Sequence, residues 1–579
     1  MRAKFRSRIR ILAAAMAVVA LLIIGKLYLV QVVHGESYRL RAEDQQIAPR
    51  AHEVSRGSIF FTDRDGNHIS AATIQSGFTL ALNPQKIKDP EATFATLKML
   101  VPSLSEEVFM AAARKITDPY EEVARRLDDG TAAAVTATKL PGVRVFRERW
   151  RLYPGGSLAA HEVGFLGYAE DGVTITGRYG IEKTYNNVLE RKESGVSINF
   201  IAELFTNVRD RLSPVAREAG GDVITSIEPT VQKYLEEALE QYSAAWKTPR
   251  VGGVIIDPKS GAIIAMASYP TFDPNSIDTA DPAALTNGLV SSVYEFGSTM
   301  KPITMAAALD AGVVTAASTY NDTGTLTIDQ KTISNFDGRP RGVVPMQEVL
   351  SQSLNIGIAH IVQKLGPTEF REYLERFGIT EETGIDLPSE ATPLTRNLDS
   401  PRTVEYITAG YGQGVALTPI AMTRALATLA NKGSVPSPHV GVEVQYPGGV
   451  RKETGWAPPR QAISEASALE VTRMLVAVVD DALRGGGKKI PELSVAAKTG
   501  TAQIADPVRG GYYTDRYLHS FFGYFPAYDA RFLVFLYSVE PVGAQYASET
   551  WTDPFFSIAK FLMTYYHITP DRAVLQIAP

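Results

Sequence analysis

"VGGVIIDPKSGAIIAMAS", residues 251–268, is the stretch from which the architecture can be read. Two apolar runs flank Asp257-Pro-Lys-Ser-Gly261, where proline presets one turn dihedral and glycine admits a positive one, so the segment predicts a β-hairpin. Just ahead, "DVITSIEPTVQKYLEEALEQY" (222–242) predicts a strand and then a helix. Pro229 suits the first turn, and Val231, Tyr234, Leu235, Ala238, Leu239 and Tyr242 share one face. Downstream, helices are expected near 298–311, 345–365, 418–431 and 464–483, strands around 494–504, 517–525 and 531–539, and an apolar helix near 554–567. A hairpin, a helical middle and a return to strands predict an α+β domain whose single sheet takes strands from both ends of the segment. No internal repeat or low-complexity tract interrupts it.

Outward towards the N-terminus the texture is irregular. "RGSIFFTDRDGNHIS" (56–70) predicts two strands around an Asp-Arg-Asp-Gly turn, because Gly66 comes too early for a calcium-loop spacing. "SGFTLALN" (76–83) is strand-like, and 91–114 is an amphipathic stretch. His161-Glu162 is half of a zinc-protease motif, but Phe165 stands where a second histidine belongs, so the zinc reading fails. Arg2, Lys4, Arg6, Arg8 and Arg10 precede the apolar run 11–33, interrupted by Lys26, whose stem can snorkel to an interface. This predicts an uncleaved transmembrane helix with a cytoplasmic N-terminus and the bulk outside, in the absence of a small-x-small cleavage site.

Composition narrows the function. The chain has 579 residues, 45% of them hydrophobic, with a formal net charge of -5. That length asks for more than one folded unit, and that charge offers no basic surface to displace counterions from nucleic acid. No cysteine is present, which removes disulfides, thiolate catalysis and Cys-based zinc sites.

The chemistry sits in three places. "EFGSTMKPITMAAALDAG" (295–312) puts Lys301 one turn after Ser298 in a segment otherwise of Met, Ile, Ala and Leu. At this spacing the amine can reach the hydroxyl, and an apolar setting lowers a lysine pKa, so a neutral amine becomes available as a base. "VLSQSLNIGIAHI" (349–361) sets Ser353 and Asn355 inside an expected apolar helix, where each polar group left unpaired costs about 1–3 kcal/mol. "VAAKTGTAQ" (495–503) sets Lys498, Thr499, Gly500 and Thr501 on an expected strand, the glycine permitting close backbone approach by a ligand. His360 is expected to be a satisfied core histidine. "RGGGKK" (484–489) lacks the residues of a phosphate loop, and "GYGQG" (410–414) reads as backbone packed tightly behind the site.

S-x-x-K, S-x-N and K-T-G, in this order, form the constellation of penicillin-binding proteins and class A β-lactamases. With "RLYPGGSLAAHEVG", "GRYGIEKTYNNVL", "IIDPKSGAIIAMASYPTFDPN" and "YGQGVALTPIAM" around it, the chain resembles a class B penicillin-binding protein. The resemblance implies a membrane-anchored peptidoglycan D,D-transpeptidase acylated by β-lactams, in the bacterial plasma membrane. Its expected parts are a cytoplasmic tail (1–10), a transmembrane helix (11–33), an elongated, mostly β pedestal of the dimerisation type (34–221) and a serine β-lactamase-like transpeptidase domain (222–579). Ser298 is then the nucleophile and Lys301 its base, with Ser353 relaying a proton and Asn355 holding the substrate amide. Lys498 supplies positive potential, Thr499, Gly500 and Thr501 bind the terminal carboxylate segment, and the N–H groups of Ser298 and Thr501 form the oxyanion hole. No cofactor or metal is implied. Partners implied are stem peptides ending in D-Ala-D-Ala, β-lactams, a glycosyltransferase of the shape, elongation, division and sporulation type, and other division proteins.

Four readings compete: a septal transpeptidase, an elongation-type transpeptidase, a D,D-carboxypeptidase or β-lactamase, and a catalytically silent scaffold or β-lactam sensor. Intact motifs oppose silence, and the missing Glu-x-x-x-Asn element with the large pedestal opposes hydrolysis. Chain length, the compact "EFGSTMKP" and a short tail favour the septal branch. Two features depart from the family: Phe296 replaces a proline, and "NNVLERKESGVSINF" lacks a glycine after its leucine.

Overall fold

The computed structural model describes residues 2–35, 54–191 and 220–572; the end of the glycine-poor segment, 192–200, lies outside them. The helix Arg2–Tyr28 continues through a wider turn, Leu29–Val33. Within it Met16–Val33 is long and apolar enough to cross a membrane, and none of that span is buried against protein.

By contacts the chain divides into two compact units, Met1–Val54 with Ile74–Trp150, and Ser55–Thr73 with Arg151–Pro579. In the first, the later half of the strand His68–Leu82 pairs with Glu121–Leu127, joining Phe78 to Leu127 and Leu82 to Glu121. Leu80, Leu82, Leu97, Phe109 and Val135 close its core. The amphipathic stretch expected at 91–114 is two helices, Pro90–Leu100 and Glu106–Ala113. Pro102 cannot donate to a continuing helix, and the Ser105 side chain accepts from the Val108 N–H to start the second.

In the second unit Ile59–Thr62 runs antiparallel to the strand that follows it and parallel to Asp222–Thr225. The Asp63 carboxylate accepts the N–H groups of Asp65 and Asn67, and Gly66 takes φ +84°, so the expected turn is present. Glu182, fully buried, meets two arginines, Arg56 at 2.6 Å and Arg151 at 2.6 Å.

The rest of this unit is built around one five-stranded antiparallel sheet with helices on both faces. Among its helices are α1 (Pro229–Trp246), α2 (Lys301–Asp310), α3 (Met346–Ser351), α4 (Asn355–Leu365), α5 (Pro419–Ala430), α6 (Glu465–Ala477) and α7 (Thr552–Tyr565). The strands β1 (Arg250–Ile256), β2 (Ile263–Tyr269), β3 (Ala496–Ala505), β4 (Tyr512–Phe525) and β5 (Phe532–Val539) lie in the order β3-β4-β5-β1-β2. The hairpin and the C-terminal strands thus build one sheet, as their spacing predicted. Alternate residues feed two cores. Phe521, Phe525, Val534 and Leu536 pack with Leu235, Leu239, Phe555 and Leu562 of α1 and α7. Phe522, Tyr524, Phe535 and Tyr537 pack with the helical layer that contains α2, α4, α5 and α6. Burial on both faces explains why β5 reads as a nearly continuous apolar run, FLVFLYSV, broken only by Ser538 and without alternation. β3 stands at one edge of the sheet.

The helix expected over 345–365 is broken. α3 ends at Ser351, Ser353 takes φ +56°, and α4 begins at Asn355. Ser353 and Asn355 therefore sit at a corner between two helices and not inside one.

Candidate active site

Ser298 lies in a tight 3-10 turn, Gly297–Met300, that runs straight into α2. Gly297 (φ +60°) makes the turn possible and is hemmed in by main chain: a Cβ there would stand 2.5 Å from the Thr501 carbonyl oxygen. Its N–H donates to the carbonyl of Gly412 at 3.0 Å. Gly412 (φ +84°) presses back so closely that a Cβ would lie 2.2 Å from the Gly297 oxygen. The "GYGQG" segment is thus backbone against backbone behind the nucleophile turn, as expected. Phe296 is buried, its ring edge-on to Phe535 at 5.1 Å, so the departure from proline fills space between the turn and the sheet.

Lys301 is fully buried one turn on. Its Nζ donates to the Ser353 carbonyl oxygen at 2.5 Å and to Ser353 Oγ at 3.2 Å. From the opposite wall Lys498 Nζ, on β3, donates to the same Oγ at 3.1 Å and to the Thr499 oxygen at 3.0 Å. One hydroxyl therefore joins two lysines from two different motifs. Burial, and then the charge of Lys498, hold the Lys301 amine well below the usual lysine range, and burial pushes Lys498 down to about 7. Two ammonium groups on one hydroxyl repel, so Lys301 is the amine that stands neutral and Lys498 the one that keeps charge longer.

The remaining predicted residues take two positions. Asn355 opens α4, its Nδ2 donating to the Ser334 oxygen at 2.8 Å. Thr501 Oγ1 accepts from the Ala547 N–H at 3.0 Å, which leaves its own proton free to donate. Gly500 is needed for packing: a Cβ would stand 2.3 Å from Ser520 Oγ and 2.5 Å from the Phe296 oxygen. Ser298, Ser353, Asn355, Lys498, Thr499 and Thr501 all border one cleft of about 770 Å³, while Lys301 and Gly500 lie beneath its lining. The Thr501 carbonyl faces Gly297, and in an extended strand the N–H of a residue points to the same edge as its carbonyl, so the Thr501 N–H faces the nucleophile turn.

Sequence reasoning missed the side walls. Phe336 and Tyr546 border the cleft, their rings 5.9 Å apart, and Arg341 borders it too. Their segments carry no periodic pattern, and only the exposed aromatic in "SNFDG" was a signal. His161 is buried, Nε2 bonded to the Ala284 oxygen at 2.7 Å, and burial takes its pKa down to about 4. His360 stacks on Tyr320 at 5.5 Å, but among the described residues its buried Nε2 has no partner, which departs from the satisfied core residue expected.

The family model for the penicillin binding protein transpeptidase domain matches residues 251–558, more than half of the chain, and the penicillin-binding protein dimerisation domain matches 51–223. The chain belongs to the penicillin-binding protein family. A transpeptidase domain behind a dimerisation domain makes it a class B penicillin-binding protein. Among relatives, Stage V sporulation protein D of Bacillus subtilis is 29% identical over 538 residues, covering 91% of this chain and 80% of that one. The peptidoglycan D,D-transpeptidase FtsI of Escherichia coli is 24% identical, covering 97% and 92%. Among solved structures, penicillin-binding protein 3 of Mycobacterium tuberculosis in complex with ampicillin superposes with a TM-score of 0.68, at 23% identity, over 91% of this chain and 98% of that one. That likeness carries the fold of the class B penicillin-binding protein: mixed α+β, with a sheet packed against helices.

Proposed function

We propose that this chain is a peptidoglycan D,D-transpeptidase that works through a serine acyl-enzyme. The observation that carries the proposal is the joining of Lys301 and Lys498 through the Ser353 hydroxyl, beside Ser298 and under the free edge of β3. A neutral Lys301 takes the Ser298 proton as the oxygen attacks the penultimate D-Ala carbonyl. The oxyanion forms between the N–H groups of Ser298 and Thr501, donors held in place before charge develops. Ser353 hands its proton to the departing D-Ala amine and takes in its place the one held by Lys301, and the ester remains on Ser298. An amine of a neighbouring stem peptide then attacks the ester, forms the cross-link and returns the proton to the serine. Lys498, Thr499 and Thr501 hold the terminal carboxylate, Gly500 lets the chain come close, and Asn355 holds a substrate amide.

The chain is membrane-anchored; the finer topology we propose is a cytoplasmic tail (1–10), a spanning helix (11–33), a pedestal (34–221) and a transpeptidase domain (222–579) outside the cytoplasm. Five basic residues ahead of the span support that orientation. A membrane glycosyltransferase supplies the glycan strands, and the compact "EFGSTMKP" segment supports use at the septum in preference to the side wall.

Labelling the purified ectodomain with a fluorescent penicillin, followed by peptide mapping, tests the chemistry. The adduct is expected on Ser298 and absent in Ser298→Ala. A label elsewhere, or one that survives the substitution, overturns the assignment, and a label lost within seconds points to a hydrolase. Imaging a tagged chain separates septum from side wall.

A further inference from the structure

The corner that carries Ser353 and Asn355 has no glycine, yet Ser353 holds a left-handed backbone, φ +56°. Something outside the corner must keep it so. Residues 319–345 leave the helical layer as two small ladders, Thr319–Asp322 with Gly342–Pro345 and Thr325–Ile328 with Lys331–Ser334. This excursion grips the corner at three successive places. Arg341 Nε donates to Gln352 Oε1 at 3.0 Å, Asn355 Nδ2 to the Ser334 oxygen at 2.8 Å, and the Ile356 N–H to Asn335 Oδ1 at 3.2 Å.

The last bond is the informative one. Ile356 is in the first turn of α4, where N–H groups have no partner within the helix, and Leu354 at the cap position has no side chain to accept them. Asn335 serves as a cap supplied from another segment. Its own amide is fixed by Asp322, with Nδ2 at 3.0 Å from each carboxylate oxygen. Asp322 is 1% exposed and also accepts the Arg341 N–H at 2.9 Å and the Tyr320 hydroxyl at 3.2 Å. Among the described residues no ion pair to this carboxylate is recorded, so it is held by hydrogen bonds that point one amide at one helix end. Stability alone would be served as well by apolar packing.

We propose that Asp322 and Asn335 are a positioning pair for the acylation step, holding the corner so that the Ser353 hydroxyl stays between the two lysines and the Asn355 amide stays at the cleft. The proposal rests on the transpeptidase reading above. Asp322 does not border the cleft, and Asn335 borders it but is 2% exposed, its amide turned to Asp322 and Ile356; both act through Ser353 and Asn355.

The test is single-turnover acylation of the full ectodomain by fluorescent penicillin, in which the burst amplitude counts folded sites and the saturating rate constant reports the chemical step. Asn335→Ala is expected to lower that rate constant about ten- to a hundred-fold in the fraction that still labels. Asn335→Asp sets two carboxylates face to face and should be slower still. In the exchange Asp322→Asn with Asn335→Asp, the amide comes from position 322, the carboxylate at 335 still accepts the Ile356 N–H, and the rate is expected to return to within about threefold of wild type. A wild-type rate constant in Asn335→Ala, or an exchange variant that labels fully yet stays as slow as Asn335→Asp, overturns the proposal. Wild-type protein that fails to label on Ser298 would instead overturn the transpeptidase reading, so the two failures are distinguishable.

Discussion

At the scale of single residues the site is governed by what burial does to two amines. An unfolded chain carries Lys301 protonated with a pKa of roughly 10.4, whereas the folded protein keeps it neutral far below that. The unfolded state therefore binds one more proton through neutral pH, and stability rises with pH until the unfolded lysine also discharges. Wild type should accordingly gain melting temperature relative to Lys301→Met as pH is raised from 7 to 10, while the variant takes up no label at any pH. Differential scanning fluorimetry across that range checks the sign; a constant difference would mean that the folded lysine is charged. Lys498 titrates at about 7 in the free protein, and a carboxylate ligand needs its charge. The second-order acylation constant should thus fall as pH climbs past about 7, whereas the saturating rate, measured with the carboxylate bound, falls later. These lysines were legible in sequence because an amine in an apolar segment contradicts its surroundings. The orphaned nitrogen of His360 was not legible, since nothing in the spacing of α4 says whether a half-buried ring finds a partner.

At the scale of elements, close backbone approach decides the geometry. The Gly500→Ala methyl would meet Ser520 Oγ at 2.3 Å and the Phe296 oxygen at 2.5 Å, so β3 must move away from the nucleophile turn. Acylation by penicillin is expected to drop about a hundred-fold or more, with far-ultraviolet circular dichroism unchanged. The three motifs and the strand that carries K-T-G were readable from spacing and periodicity. The break between α3 and α4 was not: Gln352 and Ser353 are ordinary residues in an apolar run, and the left-handed turn at Ser353 is imposed by tertiary contacts rather than by propensity. The reverse held at 91–114, where Pro102 and the capping Ser105 announced a division that the amphipathic period concealed.

At the scale of the molecule, the sheet shared by the two ends of the transpeptidase segment followed from its hairpin and its closing strands, because each has a length and turn chemistry of its own. The placement of 55–73 and 151–191 did not follow, since it depends on parallel pairing and on buried charge between segments more than 100 residues apart, such as Arg56 with Glu182 at a separation of 126. Glu182→Gln would leave Arg56 and Arg151 charged and buried without their counter-ion, at a cost of about 3–5 kcal/mol. Calorimetry should show the main unfolding transition several degrees lower, with the acylation rate of the surviving folded protein little altered; an unmoved transition would mean that solvent reaches the pair.

The abutment of Gly297 on Gly412 also bears on how such a protein can adapt. Where the floor beneath the attacking oxygen is bare peptide on both sides, there is no group to exchange for a larger, smaller or more polar one. The groups open to exchange stand at the rim, among side chains such as Phe336, Arg341 and Tyr546, where altering one is expected to change what enters without disturbing the chemistry below.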